Sequence, residues 1–263
     1  MRAFRFELYR VFHSRSLYIS LLIGFTICVL DIVTFFIEDN PAESAYLIQA
    51  WIGTDYRFAY NSMFFVLLPV LASLPYGGSL YTDIKSGYDK NICIKVSRLN
   101  YVLAKSCSVF ISAFISVSMP LGINLLVTAG LYPNYIPERL EWLSIGLLDR
   151  HLFTLIYSNQ PAVYCILYIL IDGLFAGAIA LSSLSIARAA KSHFSTVVMP
   201  MVIYITSGIL LEGDDTGNWS IMAMLNPRQY LTTQLYQLII AFLVTFTINI
   251  VIVLLFSRKR DIL

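Results

Sequence analysis

The chain has 263 residues, of which 58% are hydrophobic, 14% aromatic and only 13% charged. Soluble domains run at about 45–50% apolar and about 25% charged, so this composition excludes a water-soluble globular domain. The aromatic content excludes a solvated, disordered chain. What remains is an all-α polytopic membrane protein, and a net charge of +2 gives no reason to invoke nucleic acid.

Residues 1–15 hold Arg2, Arg5, Arg10 and Arg15, with Phe4, Leu8, Val11 and Phe12 at i, i+4, i+7 and i+8. This spacing predicts an amphipathic helix lying on the membrane surface, with Arg2, Arg10 and His13 turned away from the apolar side. A plain basic flank of the first span is the other reading. Crossing a hydrocarbon core of about 30 Å takes roughly 20 apolar residues. Six stretches qualify: 16–37, 60–81, 101–131, 162–187, 194–211 and 235–256. Their few charges are Asp31, Lys105 and Asp172, and their prolines (Pro69, Pro75, Pro120, Pro200) are of a kind that membrane helices tolerate. The first stretch exceeds the roughly 7–15 apolar residues of a signal peptide and no A-x-A-like site follows, so it is expected to be retained.

An even number of spans puts both termini on one side. Fourteen of the eighteen basic residues fall there, in 1–15, in 82–105 (Lys85, Lys90, Lys95, Arg98, Lys105), at Arg188 and Lys191, and in the tail (Arg258, Lys259, Arg260). The other side holds Arg57, Arg139, Arg150 and Arg228 beside ten acids. Positive charge predicts cytoplasmic termini, and Trp51, Trp142 and Trp219 in the opposite connections predict an interfacial belt.

The connection 82–100, TDIKSGYDKNICIKVSRLN, is too long for a tight turn and too polar to enter lipid. Ile84, Ile92, Ile94 and Val96 give it an apolar side, so it should form short helices docked at the membrane, as a surface for a cytoplasmic partner or as a partnerless loop. On the other face, 132–161 should hold an interfacial helix over 138–157, and a second short outer helix should follow Pro227. Both either cap an exit route or serve packing alone. Asp31 and Asp172 should face the bundle interior or water, because a carboxylate costs about 2.5–3.5 kcal/mol at mid-membrane on insertion scales. They read as substrate or proton contacts, or as structural groups bonded to Asn124, Asn249 or a serine, or as neutral acids. Gly173 and Gly177, with Ala176 and Ala180, have the spacing of close helix packing.

There is no G-x-x-x-x-G-K-[ST], H-E-x-x-H or G-x-S-x-G, so no ATP site of the phosphate-loop kind and no catalytic set is expected in this chain. His13, His151 and His193 are spread over both faces. Cys28, Cys93, Cys107 and Cys165 form no C-x-x-C, so neither a metal site nor a disulfide is expected.

A basic amphipathic helix before span one, then acid-x3-Gly, Ser-Arg and Lys around the second connection, then outer helices before the last of six spans: the plan resembles the membrane subunits of ABC-2 type transporters. It resembles in particular the short permeases of bacterial antibiotic-peptide or bacteriocin export and self-immunity systems. The resemblance covers the whole chain, 1–263, as a single transmembrane domain, but is specific in sequence only over 83–105. It implies that 82–100 is a coupling segment docking on separate nucleotide-binding subunits that hold ATP and Mg, with Asp83, Gly87, Tyr88, Lys90, Ser97, Arg98 and Lys105 as coupling residues. Asp83 stands where the family usually has Glu, Tyr88 where it has Thr, and Val96 where Pro precedes Ser-Arg. It further implies a plasma-membrane exporter in a bacterium, dimerising with itself or a similar half. The aromatic second span and the apolar walls suit an amphipathic substrate such as a hydrophobic peptide, a drug or a lipid. Asp31, Phe64, Phe65, Tyr76, Asn124 and Asp172 are the candidates for the translocation path. The competing expectation is a secondary transporter or channel with Asp31 and Asp172 as ion-coupling sites. An integral enzyme acting on lipid would need a clustered catalytic set, and none is evident.

Overall fold

The computed structural model describes residues 2–38, 46–55, 59–134, 152–213, 218–229 and 233–258. Arg57, Arg139, Trp142, Arg150, His151, Lys259, Arg260 and most of the interfacial helix expected over 138–157 lie outside the described residues. Within them every regular element is a helix: α1 (Arg2–Phe12), α2 (Arg15–Glu38), α3 (Leu47–Ala50), α4 (Ala59–Ser73), α5 (Ser79–Lys85), α6 (Tyr88–Cys93), α7 (Arg98–Leu131), α8 (Thr154–Asn159), α9 (Pro161–Ile186), α10 (His193–Leu210), α11 (Ile221–Leu225) and α12 (Leu235–Arg258).

Five of these helices, α2, α7, α9, α10 and α12, are long and apolar enough to cross a bilayer. They coincide with five of the six predicted spans. The sixth, expected as one helix over 60–81, differs. α4 has 15 residues, about 22 Å of helix against a core of about 30 Å. After Ser73 the chain turns before α5 begins. Pro75 lies in that turn and has no N–H, so the carbonyl of Leu71 loses its usual i+4 donor. The hydroxyls of Ser20 on α2 and Ser116 on α7 each donate to Leu71 O at 2.7 Å in its place. Gly77 and Gly78 follow, where a Cβ would lie 2.5 Å from Ser183 Oγ and 2.2 Å from His193 Nε2. The break is therefore built by four neighbouring helices, α2, α7, α9 and α10.

α7 and α9 form the centre, with α1, α2 and α4 packed on α7 and with α4, α10 and α12 packed on α9. Small residues set the α7–α9 distance. A Cβ on Gly173 would lie 2.1 Å from Ser118 Oγ, and one on Gly177 2.6 Å from the Phe110 ring. Gly24 of α2 similarly makes room for the Pro120 ring of α7.

At the end of the bundle away from α1 and α5, the segment 46–55 folds inward as a plug. Leu47, Ile48, Trp51 and Ile52 are fully buried. Trp51 is thus a core residue, not part of an interfacial belt; its indole N–H points at Leu121 O at 3.4 Å. Amides hold the plug. Ile52 N donates to Asn124 Oδ1 (3.2 Å), while Asn61 Nδ2 donates to Ile52 O (2.9 Å) and Gly53 O (2.8 Å). Asn226 Nδ2 in turn donates to Asn61 Oδ1 at 3.0 Å. The short helix α11 precedes Pro227 and residues 226–229 form a turn; residues 230–232, within the stretch where a helix was expected after Pro227, lie outside the described residues.

Gly177→Val should force α7 and α9 apart and destabilise the chain by about 1–3 kcal/mol. Gly122→Ala, whose new Cβ meets nothing within 4 Å, should be neutral or stabilising by about 0.5–1 kcal/mol. Thermal unfolding of the detergent-solubilised chain compares the two.

Candidate functional site

At the basic end of the bundle α1, the α4–α5 turn, α5 and α7 meet around four charges. Glu7 comes from α1, Asp83 from α5 and Lys105 from the second turn of α7. These three side chains are 0%, 2% and 1% exposed. The fourth, Arg10 of α1, keeps 30% of its side chain exposed.

Every charge is met by an opposite one. Arg10 forks onto Asp83, with Nη2 to Oδ1 at 2.8 Å and Nη1 to Oδ2 at 3.2 Å, and Nη1 also reaches Glu7 Oε1 at 3.2 Å. Lys105 Nζ donates to Asp83 and lies 3.4 Å from Glu7 Oε2. Two tyrosines complete the set, Tyr76 OH donating to Glu7 Oε2 and Tyr101 OH to Asp83 Oδ2, both at 2.6 Å. The Arg10 guanidinium lies 5.1 Å from the centre of the Tyr88 ring, a distance favourable for cation–π attraction.

Taking an ion out of water costs several kcal/mol, recovered only where geometry is good and every lone pair is met. Two acids, two bases and two phenols satisfy that condition here. Burial alone raises the Asp83 carboxyl, but the contacts with Arg10, Lys105 and Tyr101 outweigh it and hold the group below its ordinary value. Burial lowers Arg10, and its hydrogen bond with Asp83 reverses the direction, leaving it more basic than usual.

The cluster changes the meaning of the residues expected to couple to a partner. Asp83 and Lys105 face each other inside the protein and offer no surface to a partner. Arg10, expected to turn away from the packed side of α1, is the bridge. Gly87 joins α5 to α6 at φ 71°, a left-handed conformation that suits glycine, with open space where a Cβ would stand. Tyr88 begins α6, and Lys90 on the same helix is exposed. Ser97 and Arg98 open α7, away from the cluster.

Of the residues expected along a path, Tyr76 belongs to the cluster. Phe64 and Phe65 are buried core residues in edge-to-face contact, and Asn124 anchors the plug while donating to Cys28 O at 3.3 Å. Asp31 and Asp172 are both buried, on α2 and α9, helices that do not pack closely against each other. Neither Asp172 oxygen has a hydrogen-bond partner among the described residues.

Sequence reasoning missed Glu7 and Tyr101. Glu7 had a signal: it is the only acid before Asp31, three residues after Phe4 and four before Val11, inside the apolar stripe of α1. Among the described residues no three His, Cys, Asp or Glu side chains gather to hold a metal. No family model matches the chain, and neither a curated protein nor a solved structure does so.

Asp83 titrates below its unfolded value of 3.8, so its contribution to stability is fully present above that value and is lost as pH falls through the lower folded one. The thermal midpoint should hold steady through neutral pH and drop below about pH 4. Asp83→Asn should lose about 3–5 kcal/mol at pH 7, because Arg10 and Lys105 are left under-compensated, and should show a shallower acid slope. Thermal melts across a pH series of both proteins measure this.

Proposed function

We propose that the chain is the membrane subunit of an ATP-driven ABC-2 type exporter, with ATP and Mg bound by separate nucleotide-binding subunits. In this reading the termini and α1, α5 and α6 are cytoplasmic, in the plasma membrane of a bacterium. α4 with the turn after it counts as the sixth span, and α1 rests at the lipid surface on its exposed Phe6, Tyr9 and Phe12. The observation that carries the reading is a surface segment welded to the spans. α5 is fixed through Asp83 to α1 and α7, while just beyond α6 Ile94 is 83% exposed, flanked by exposed Lys90 and Lys95. An isoleucine so placed has no packing role within the described chain, and it suits a partner surface with an apolar recess and acidic rim.

Force applied at α6 passes through α5 by two routes. The ion cluster hands it to α1 and α7. Tyr81 OH, donating to Lys191 O at 3.0 Å, and the Gly78–His193 contact hand it to the α9–α10 connection. ATP binding and release in the partner then bias two packings of the spans. The interior of one chain is filled at Phe64 and Phe65 and plugged at Trp51, so the route for an amphipathic peptide, drug or lipid runs between two halves, identical or similar.

The buried, unbonded carboxylate of Asp172 is the observation favouring the competing reading, an ion-coupled transporter or channel. The two readings separate on variants. A tagged pull-down from native membranes in mild detergent should bring down a phosphate-loop ATPase in near-stoichiometric amount, and Lys90→Glu with Ile94→Asp should lose it. A chain that comes down alone in both forms overturns the permease reading. Asp172→Asn should leave ATP-driven efflux in reconstituted vesicles within about twofold of the parent, since an unsatisfied buried group adds no favourable interaction to lose; abolition of transport would instead favour ion coupling.

A further inference from the structure

α10 and α12 both pack on α9 but hardly touch one another, and between them runs a cavity of 530 Å³ open along one side. Its floor is Ile179, Ser182 and Ile186 of α9, and its exposed rims are Ile203 of α10 with Val244 and Ile248 of α12. It extends along α12 from Ile240 to Ile252, about 18 Å of helix rise. Trp219 and Ile221 roof the end nearest α11. The other end stops at Ile186, two residues before Arg188.

Three features define what fits. First, both walls are helices long and apolar enough to cross a bilayer, so the groove opens into hydrocarbon. Second, most of its polar groups are already spent. Ser182 donates to Ile179 O (2.6 Å), Ser207 to Tyr204 O (3.0 Å) and Thr245 to Ala241 O (2.8 Å). Asn249 donates to Ala178 O at 3.3 Å and to Thr245 O at 2.9 Å, and Ser185 sits against its Oδ1. A ligand bearing donors or acceptors finds few partners there, whereas hydrocarbon needs none. Third, 530 Å³ spread along about 18 Å of α12 is an elongated space, the shape of an extended hydrocarbon tail.

We infer that this groove binds one acyl chain of a membrane phospholipid, entering from the leaflet on the basic side with its tail ending under Trp219. The length exceeds half of a core about 30 Å thick, so the tail reaches past the midplane. At the mouth, exposed Lys191 and half-exposed Arg188 favour an anionic headgroup. The inference needs the spans to lie in a bilayer and is independent of any ATPase partner.

The full chain, reconstituted in vesicles of phosphatidylethanolamine and phosphatidylglycerol, is irradiated with phosphatidylglycerol carrying a photoreactive group near the acyl terminus, and adducts are mapped by mass spectrometry. Adducts should concentrate on 203–211, 219–221 and 240–245. Val244→Phe with Ile248→Phe, both on the exposed rim of the groove, should reduce them about tenfold, the loss of a few buried methylenes. Leu243→Phe, exposed on the same helix but outside the groove, should leave them unchanged. Labelling spread evenly over all exposed helix faces of the unaltered chain would overturn the inference whatever the variants do. So would an Ile248→Cys disulfide dimer forming in place of labelling, since a second copy would then cover the groove.

Discussion

Three buried charges and a fourth, Arg10, that is only half-buried meet at the junction of α1, α5 and α7 and can stay there only in one arrangement. Arg10 must reach both carboxylates and Lys105 must lie between them, or a buried ion is left bare at a cost of several kcal/mol. Such a cluster is a weak source of net stability, since a well-packed apolar replacement can do as well. It is a strict condition on register. Partners 73 positions apart in the chain can pair only if α5 comes back beneath α1, and that requires α4 to end where it does.

The end of α4 shows how that condition is met. A proline alone would kink or fray a helix and leave a bare carbonyl in an apolar setting. Here Ser20 and Ser116 converge on Leu71 O from two other helices, so the polar group freed by Pro75 is satisfied across the bundle, as membrane helices require. Gly77 and Gly78 then let α9 and α10 close on the turn. Break, repair and close approach occupy Leu71 to Gly78, and each would be a defect without the others.

Five spans could be read from the sequence because a run of about twenty apolar residues is a local property. That α9 would be closely approached by another helix was legible in the same way, from glycines four residues apart; that the neighbour is α7 was not. The break in the second span was not, because the effect of Pro75 depends on hydroxyls at positions 20 and 116. Asp83 read as a surface acid for the same reason: nothing nearby in sequence announces Arg10 and Lys105 as its partners, while the resemblance to coupling segments offered a ready role outside. Trp51 read as a belt residue because its connection is acidic. Its fate was set by Asn61, Asn124 and Asn226, amides scattered over three other parts of the chain.

The plug at 46–55 bears on electrical tightness. A bundle whose far end were closed by loose aromatics alone would let water and small ions file through whenever those rings flickered. Here closure is tied to amide bonds from Asn61 and Asn124, with Arg228 Nη1 reaching Asp55 O at 3.3 Å beside them, and Trp51 fills the space beneath. Prising that end apart would strand several polar groups together, so partial openings are disfavoured relative to complete ones. In a bundle that spans a membrane, an end closed in this way opens as a unit or not at all.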